Sequence, residues 1–234
     1  MSRLWMAVWL PLAGIRLVIK GKEKFKKGEN YVVVCNHNSL MDVPVSTPFM
    51  PRANKTIAKV SFSKVPIFGW VYKFGSVLVD RRSDQSRRQS YEEMKSILAV
   101  GLDMLIYPEG TRNRTGDPLK SFYDGAFRLA VDTQKRIIPT IIFNSKNILP
   151  PNPSFCLMPG KIEMHFLPPV SVEGKTSKAD CQHIAIATVC HTVVLVSWNF
   201  KHIVNLDRIK GYNSVNLRLG YPMIEIRSPN ELVV

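Results

Sequence analysis

Residues 31–42 read YVVVCNHNSLMD, and this stretch decides the fold class. Its first five residues are an uncharged run rich in β-branched side chains, which suits a strand buried on both faces of a sheet. The polar loop NHNS follows at residues 36–39. Polar side chains directly after a buried strand are typical of open α/β sheets, which place their sites at the carboxyl ends of the strands.

Five more strands are predicted downstream, separated by helix-length segments. They cover residues 55–60, 76–79, 104–107, 137–143 and 161–166. The clearest helix covers residues 83–100, where Ser90 and Glu93 have the spacing of a capping box and Gly101 stands where a glycine closes a helix. Strands that alternate with helices require crossover connections. We therefore predict an α/β fold with a mostly parallel sheet flanked by helices.

The composition predicts an anionic partner. The 234 residues include 32 Lys and Arg but 18 Asp and Glu, so the net charge is +14. Such an excess suits nucleic acid, a phosphorylated small molecule or an acidic membrane surface. No recognised nucleic-acid-binding signature occurs, so phosphate and membrane are expected and nucleic acid is not. The 4 cysteines are too scattered for a disulfide scaffold, which favours a reducing compartment.

The amino-terminal segment predicts contact with a membrane surface. Residues 4–15, LWMAVWLPLAGI, carry no charge but are too short to cross a bilayer, which takes about 20 residues. An apolar run with tryptophans before a lysine-rich stretch is typical of a protein that lies on an anionic bilayer. A buried core helix is the alternative. We expect residues 1–28 to form this anchor, 29–174 an α/β domain and 175–234 an extension of unknown role.

The first chemically active group is Asn36, His37 and Asp42, in the order N-H-x-x-x-x-D. The side chains of His37 and Asp42 can meet if Ser39 is the N-cap of a helix that carries Asp42 in its first turn. The carboxylate then accepts the imidazole N–H and leaves the other ring nitrogen as a base toward an alcohol. A satisfied loop histidine is the alternative for this motif taken alone.

Two further polar groups follow predicted strands. YPEGTR at residues 107–112 has the Pro and Gly of a tight turn and then donors suited to phosphate oxygens, Thr111 and Arg112. GSVLVDRR at residues 75–82 brings Arg81 to the end of another strand. If the sheet is parallel, all three groups converge on one edge of it.

Together these motifs resemble the glycerolipid acyltransferase family, and within it the bacterial 1-acyl-glycerol-3-phosphate acyltransferases. The four matching blocks are H-x-x-x-x-D at 37–42, G-x-x-x-V-D-R at 75–81, P-E-G-T-R at 108–112 and I-P-T at 138–140. The segment 59–69, KVSFSKVPIFG, is also similar to one that these enzymes carry between their first two blocks. The resemblance extends over residues 4–174.

The resemblance implies that His37 is the general base toward the sn-2 hydroxyl of lysophosphatidate and that Asp42 orients it. The implied acyl donor is acyl-CoA or acyl carrier protein, with no cofactor, metal or acyl-enzyme. The implied location is the cytoplasmic face of a membrane. For a bacterial protein, that membrane is the inner membrane. The implied substrate-binding residues are Asn36, Arg81, Glu109, Gly110, Thr111, Arg112 and Pro139, where the two arginines grip the phosphate and Pro139 lines the acyl-donor side.

Three other functions stay open. One is acyl transfer to another acceptor, such as glycerol 3-phosphate or another lysolipid. A second is a non-catalytic lipid-binding module, against which the intact His37 and Asp42 argue. A third is a hydrolase that passes the acyl group to water. No metal is expected, because zinc-site spacing is missing from the one group of candidate ligands, Cys181, His183, Cys190 and His191.

Overall fold

The computed structural model describes residues 2–64, 68–115, 119–150, 157–172, 194–196, 223 and 225–227. The chain divides into two compact units, Met1–Glu173 and Gly174–Val234. The strands of the first unit are β1 (Ile15–Lys20), β2 (Val32–Cys35), β3 (Asn54–Lys59), β4 (Ser76–Val79), β5 (Asp103–Ile106), β6 (Ile137–Phe143) and β7 (Gly160–Phe166). Its helices are α1 (Ser2–Leu12), α2 (Asp42–Ser46), α3 (Phe68–Gly75), α4 (Asp84–Ala99), α5 (Gly125–Thr133) and α6 (Ser145–Ile148), with 3₁₀ turns at Lys22–Lys24, Thr47–Phe49 and Val60–Lys64.

The second unit contributes two short described strands, β8 (Val194–Val196) and β9 (Glu225–Arg227), which pair in parallel. Most of the predicted extension at 175–234 lies outside the described residues. The same holds for the four weak metal-ligand candidates, Cys181, His183, Cys190 and His191.

One sheet organises the first unit, with strand order β1-β7-β6-β2-β5-β3-β4. The strands β2 to β6 run parallel to one another. The remaining two, β1 and β7, pair in parallel but run the opposite way, since β7 is antiparallel to β6. The predicted α/β class and mostly parallel sheet are confirmed.

The strand β2 is the centre of the core. All four of its residues are buried, as the uncharged run predicted. It pairs with β5 on one side and with β6 on the other. Burying an aliphatic side chain contributes about 1.5–3 kcal/mol. The loop that follows β2 therefore starts from one of the most firmly held points of the molecule.

The crossover connections place the helices on two faces of the sheet. Connections from β2 to β3 and on to β4 advance toward one edge, so the right-handed rule puts α2 and α3 on the same face. The chain then returns through β5 to β6, which puts α4 and α5 on the other face, where they contact each other. The helix α1 lies on the α2 face, because Met6 and Leu10 share a core cluster with Met41 and Val45.

The strand β1 was not predicted, because Ile15–Lys20 reads IRLVIK and falls inside the segment expected to anchor the chain. Its charged residues are compatible with an edge strand, where half of the surface faces water. The segment 1–28 is thus part of the sheet domain through β1. Its helix α1 buries Met6 and Leu10 in the core, as the core-helix alternative expected, and exposes Leu4, Trp5, Val8 and Leu12. Contact of this segment with a membrane stays a prediction.

The helix α4 begins about two turns before the predicted capping box. Ser83 is its N-cap, and the Ser83 hydroxyl accepts the Ser86 N–H at 3.2 Å. Ser90 is buried inside the helix and donates to the Arg87 carbonyl, so the capping prediction for Ser90 was wrong. Gly101 closes the helix as predicted, with φ of +87°.

Candidate active site

Three loops meet at the carboxyl edge of the parallel strands. They follow β2, β4 and β5, and a cleft of about 1000 Å³ opens between them. The residues predicted for the site that line this cleft are His37, Arg81, Gly110, Thr111 and Arg112. The convergence expected from a parallel sheet is therefore present in the structure.

The side chains of His37 and Asp42 are in contact, with Nδ1 of the ring 2.9 Å from Oδ2 of the carboxylate. Asp42 is fully buried. Its Oδ2 also accepts the backbone N–H groups of Asn38 and Ser39, both at 2.7 Å. Because the carboxylate is held by backbone donors, it fixes the proton of the imidazole on Nδ1. The ring nitrogen left for chemistry in the cleft is then Nε2.

The local geometry around Asp42 differs from the prediction in one respect. The helix α2 begins at Asp42 itself, so Ser39 is not its N-cap. The Ser39 hydroxyl instead accepts the Met41 N–H at 3.1 Å and donates to the Leu149 carbonyl at 2.8 Å. Ser39 therefore ties the loop to the segment after α6, while Asp42 bends back over that loop.

Asn36 holds the same loop against β6. Its Nδ2 donates to the Ile142 carbonyl at 3.0 Å, and its Oδ1 accepts the Ile142 N–H at 2.7 Å. The side chain is buried and does not line the cleft. The geometry gives Asn36 a positioning role, in place of the predicted contact with substrate.

Pro139 also differs from its predicted place. It lies within β6, where it is buried and stands opposite Val34 of β2. It is absent from the residues that line the cleft. Because β6 is covered on both edges by neighbouring strands, the geometry does not support the predicted contact of Pro139 with the acyl donor.

Glu109 connects two of the three loops from behind the cleft. One carboxylate oxygen accepts the His37 N–H at 2.7 Å, and the other accepts the Lys120 N–H at 3.2 Å. Burial raises the pKa of Glu109 above its ordinary value, and the two backbone donors oppose that rise. Since Glu109 is fully buried and does not line the cleft, it shapes the site by placing backbone.

The turn after β5 requires the glycine that the sequence supplies. Gly110 has φ of +70°, and a Cβ atom there would lie 2.8 Å from the Tyr123 ring. The Gly110 carbonyl accepts a hydrogen bond from the Arg81 guanidinium. Arg81 therefore links the loop after β4 to the turn while it lines the cleft.

The lining of the cleft is rich in basic side chains. Its described lining contains no Asp or Glu, and its basic residues are Lys59, Arg81, Arg87, Arg112, Arg114 and Lys120. The Lys120 ammonium donates to the Thr111 hydroxyl at 2.9 Å. Sequence reasoning missed Lys120 and Arg114, because basic residues are common throughout this chain and carry no distinguishing spacing. The arrangement suits an anionic group.

The lining also contains many apolar side chains. They are mainly Leu40, Val43, Ile57, Ala58, Phe62, Val79, Met94 and Ile106. A cleft lined by basic and apolar side chains fits an amphipathic ligand that has an anionic head and a hydrocarbon part.

Tyr107 is a third residue whose place in the site sequence reasoning missed. Its ring packs on the His37 imidazole with 4.5 Å between centroids. Its hydroxyl lies 2.7 Å from the Ser46 hydroxyl on α2. Burial raises the pKa of Tyr107 well above its ordinary value, so the phenol is neutral. Tyr107 therefore supports the face of the imidazole.

The fold and the site define an α/β protein with a His–Asp pair whose histidine lines a cleft of basic and apolar side chains. The chain belongs to the acyltransferase family, whose model matches residues 16–143. The resemblance drawn from the sequence motifs is thereby confirmed.

Individual relatives share this part of the chain. The chain is 32% identical to the 1-acyl-sn-glycerol-3-phosphate acyltransferase alpha of Mus musculus over 70% of its length, and it covers 58% of that protein. It is 29% identical to the 1-acyl-sn-glycerol-3-phosphate acyltransferase of Borreliella burgdorferi over 63% of its length, and it covers 59% of that protein. The chain thus spans less than two thirds of these relatives.

A solved structure has a similar fold. It is the crystal structure of the 1-acyl-sn-glycerophosphate (LPA) acyltransferase PlsC from Thermotoga maritima, with a TM-score of 0.65 and 25% sequence identity. The match covers 79% of this chain and 75% of that one. Within the part of the chain that the structure describes, every helix falls short of the length and apolarity that a bilayer crossing needs.

Proposed function

We propose that this protein transfers a fatty acyl group to the sn-2 hydroxyl of 1-acyl-glycerol 3-phosphate, or lysophosphatidate, and so forms phosphatidate. The observation that carries the proposal is the contact of 2.9 Å between Asp42 and His37, whose side chain lines a cleft with basic and apolar side chains. The names of the mouse, Borreliella and Thermotoga relatives support the same acceptor.

In the proposed reaction His37 acts as the general base. Its Nε2 removes the proton from the acceptor hydroxyl as that oxygen attacks the thioester carbonyl of the donor, acyl-CoA or acyl carrier protein. The new C–O bond forms, the C–S bond breaks, and the proton passes from the imidazolium to the departing thiolate. Asp42 accepts the hydrogen bond from Nδ1–H throughout the reaction and stabilises the imidazolium.

Direct transfer agrees with the state of the thiol nearest to the motif. Cys35 is buried at the end of β2, directly before the loop that carries His37. Burial raises the pKa of its thiol well above the ordinary value, which removes the thiolate that nucleophilic attack requires. The acceptor hydroxyl is then the nucleophile, and no acyl-enzyme is needed.

The phosphate of the acceptor binds in the cleft beside the turn at Gly110 and Thr111, which Arg81 and Lys120 contact. Arg112 and Lys120 provide charged donors there, and Arg81 adds a guanidinium already held by the Gly110 carbonyl. Guanidinium groups suit phosphate because they present paired donors in one plane. Because His37 lines the same cleft, fixing the phosphate there holds the single free hydroxyl near the base. The hydrocarbon chains lie along the apolar side chains of the lining.

The protein works at the cytoplasmic face of an anionic membrane, where its lipid acceptor resides. The apolar side chains that α1 leaves most exposed are Leu4, Trp5, Val8 and Leu12. Exposed aliphatic and tryptophan side chains next to a lysine-rich segment support contact with the lipid headgroup region.

The test is transfer by the full chain in detergent micelles, with labelled acyl-CoA or acyl carrier protein. The acceptors are lysophosphatidate, glycerol 3-phosphate, lysophosphatidylcholine and none. We expect label in phosphatidate, and its loss in His37→Ala. A matched control is His165→Ala, which removes a histidine that also contacts a carboxylate, Glu163, at 2.8 Å but does not line the cleft.

Each other result identifies a different function. Label in free fatty acid alone would make the protein a hydrolase. Binding of lysophosphatidate without transfer would make it a lipid-binding module. Full activity of His37→Ala would remove the base that the proposal assigns.

A further inference from the structure

The helix α3 presents aromatic side chains in two directions. Tyr72 lines the cleft and stacks on Phe62 with 5.1 Å between ring centroids. Trp70 and Phe74 are 70% and 72% exposed, and neither lines the cleft. Their spacing of one helical turn puts them on the side opposite Tyr72, with 6.1 Å between centroids. The helix is therefore a wall of the cleft on one side and an exposed aromatic edge on the other.

The charge around this aromatic edge is positive. Lys73 is exposed, directly before Phe74 in the sequence. The segment 54–79 contains four lysines and no Asp or Glu. Aromatic rings beside lysines are typical of surfaces that enter the headgroup region of an anionic bilayer. The same charge disfavours a second copy of this strongly basic chain as the partner.

The position of α3 on the sheet agrees with an anionic bilayer as the partner. The right-handed crossovers put α3 and α2 on one face of the sheet, and α1 packs on the same face. The exposed side chains Trp5 and Val8 of α1 therefore belong to the face that carries Trp70 and Phe74.

We propose that α3 docks on an anionic lipid bilayer, with Trp70 and Phe74 inserted among the headgroups and Lys73 at the lipid phosphates. This inference deepens the proposed function, on whose membrane location it rests. Because Tyr72 on the opposite side of α3 lines the cleft, the docking places the cleft one helix diameter, roughly 10 Å, from the bilayer surface.

The experiment measures co-sedimentation of the full chain with vesicles of phosphatidylcholine alone or of phosphatidylcholine rich in phosphatidylglycerol. We expect Trp70→Ser/Phe74→Ser to lower the partition coefficient on the anionic vesicles by about tenfold or more. A matched control is Val100→Ser, which removes an apolar side chain that is 76% exposed at the end of α4, on the other face. Val100→Ser is expected to bind as the unaltered chain does.

A second measurement keeps the fold intact by a conservative change. Brominated lipids quench the fluorescence of tryptophans that enter the bilayer. We expect Trp70→Phe to lower the quenched fraction of the emission while the vesicle affinity falls less than it does in the double variant. Equal quenching in Trp70→Phe and the unaltered chain would show that Trp70 stays in water, and that result would overturn the proposal.

Two other results would also overturn it. One is vesicle binding by the double variant equal to that of Val100→Ser. The other is a change from dimer to monomer in the double variant with vesicle binding unchanged, which would make the aromatic edge a contact between copies. The proposed reaction is tested separately: if no preparation transfers acyl groups but the double variant still loses vesicle binding, the proposed function fails and the docking surface stands.

Discussion

Replacing Asp42 by Asn tests how the carboxylate supports His37. The substitution preserves shape but removes the negative charge that lies 2.9 Å from Nδ1. Two opposite unit charges about 4 Å apart interact by about 4 kcal/mol at the effective dielectric constant of a protein. The imidazolium exists only after proton removal, so this loss falls on the transition state, and kcat should drop about a thousandfold.

The same substitution should leave substrate affinity and folding nearly intact. Asp42 does not line the cleft, so the KM for lysophosphatidate should change little. The amide oxygen of Asn can still accept the N–H groups of Asn38 and Ser39, at a stability cost of about 1–2 kcal/mol for weaker hydrogen bonds. Steady-state kinetics with lysophosphatidate and urea unfolding provide the two measurements.

A matched control is Glu163→Gln. Glu163 also pairs with a histidine, His165, and its pKa is lowered to about 2 mainly by Lys161 and also by His165, but it lies outside the cleft lining. The Glu163→Gln variant should retain the kcat of the unaltered chain. A folded Asp42→Asn protein that kept more than about a tenth of the kcat would refute the electrostatic reasoning, since the worked loss is about a thousandfold.

Three further predictions concern the cleft and the core. Arg112→Ala should raise the KM for lysophosphatidate about tenfold to a hundredfold, because a charged hydrogen bond contributes about 1.5–3 kcal/mol. The control Arg88→Ala, on α4, should leave this KM unchanged. An unchanged KM in Arg112→Ala would contradict the phosphate contact. Gly110→Ala should lower the free energy of unfolding, measured in urea, by about 1–3 kcal/mol, because a Cβ atom at φ of +70° meets the Tyr123 ring. Equal stability of the variant and the unaltered chain would show that the turn relaxes to make room. Burial raises the pKa of Asp103 to about 6, above its ordinary value, so the folded state favours the protonated form. The stability of the unaltered chain relative to Asp103→Asn should therefore fall by up to about 3 kcal/mol as the pH rises from about 4 to about 7, and a pH-independent difference in urea unfolding would count against this buried titration.

The sequence was informative where local pattern and position along a strand decide the structure. The strands β4 and β6 begin and end at the predicted residues, because each is a short apolar run bounded by polar residues or glycine. The convergence of His37, Arg81 and Arg112 followed from one topological fact, that parallel strands end at the same edge. That convergence could be predicted without any knowledge of side-chain geometry.

The sequence was uninformative where a partner far along the chain decides the role of a residue. Asn36 looked like a site residue because it adjoins His37, yet its amide is occupied by Ile142, which lies 106 residues away. Glu109 similarly meets the backbone of His37 across 72 residues. Spacing along the chain contains no signal of such pairs, because they depend on which strands become neighbours. The charged edge strand β1 was missed for the same reason.

Both peptide groups of His37, the proposed base, are held by the segment after β5. The His37 N–H donates to Glu109, and the His37 carbonyl accepts the Asn113 N–H at 2.6 Å. Arg112 lies between these two anchors in sequence, so a headgroup that shifts this segment also shifts the imidazole. Recognition and reactivity are then mechanically coupled, and an acceptor stripped of its phosphate should lose turnover at saturation as well as affinity. Kinetics with such a truncated acceptor would expose that coupling, and an unaltered maximal rate would show the two events to be independent.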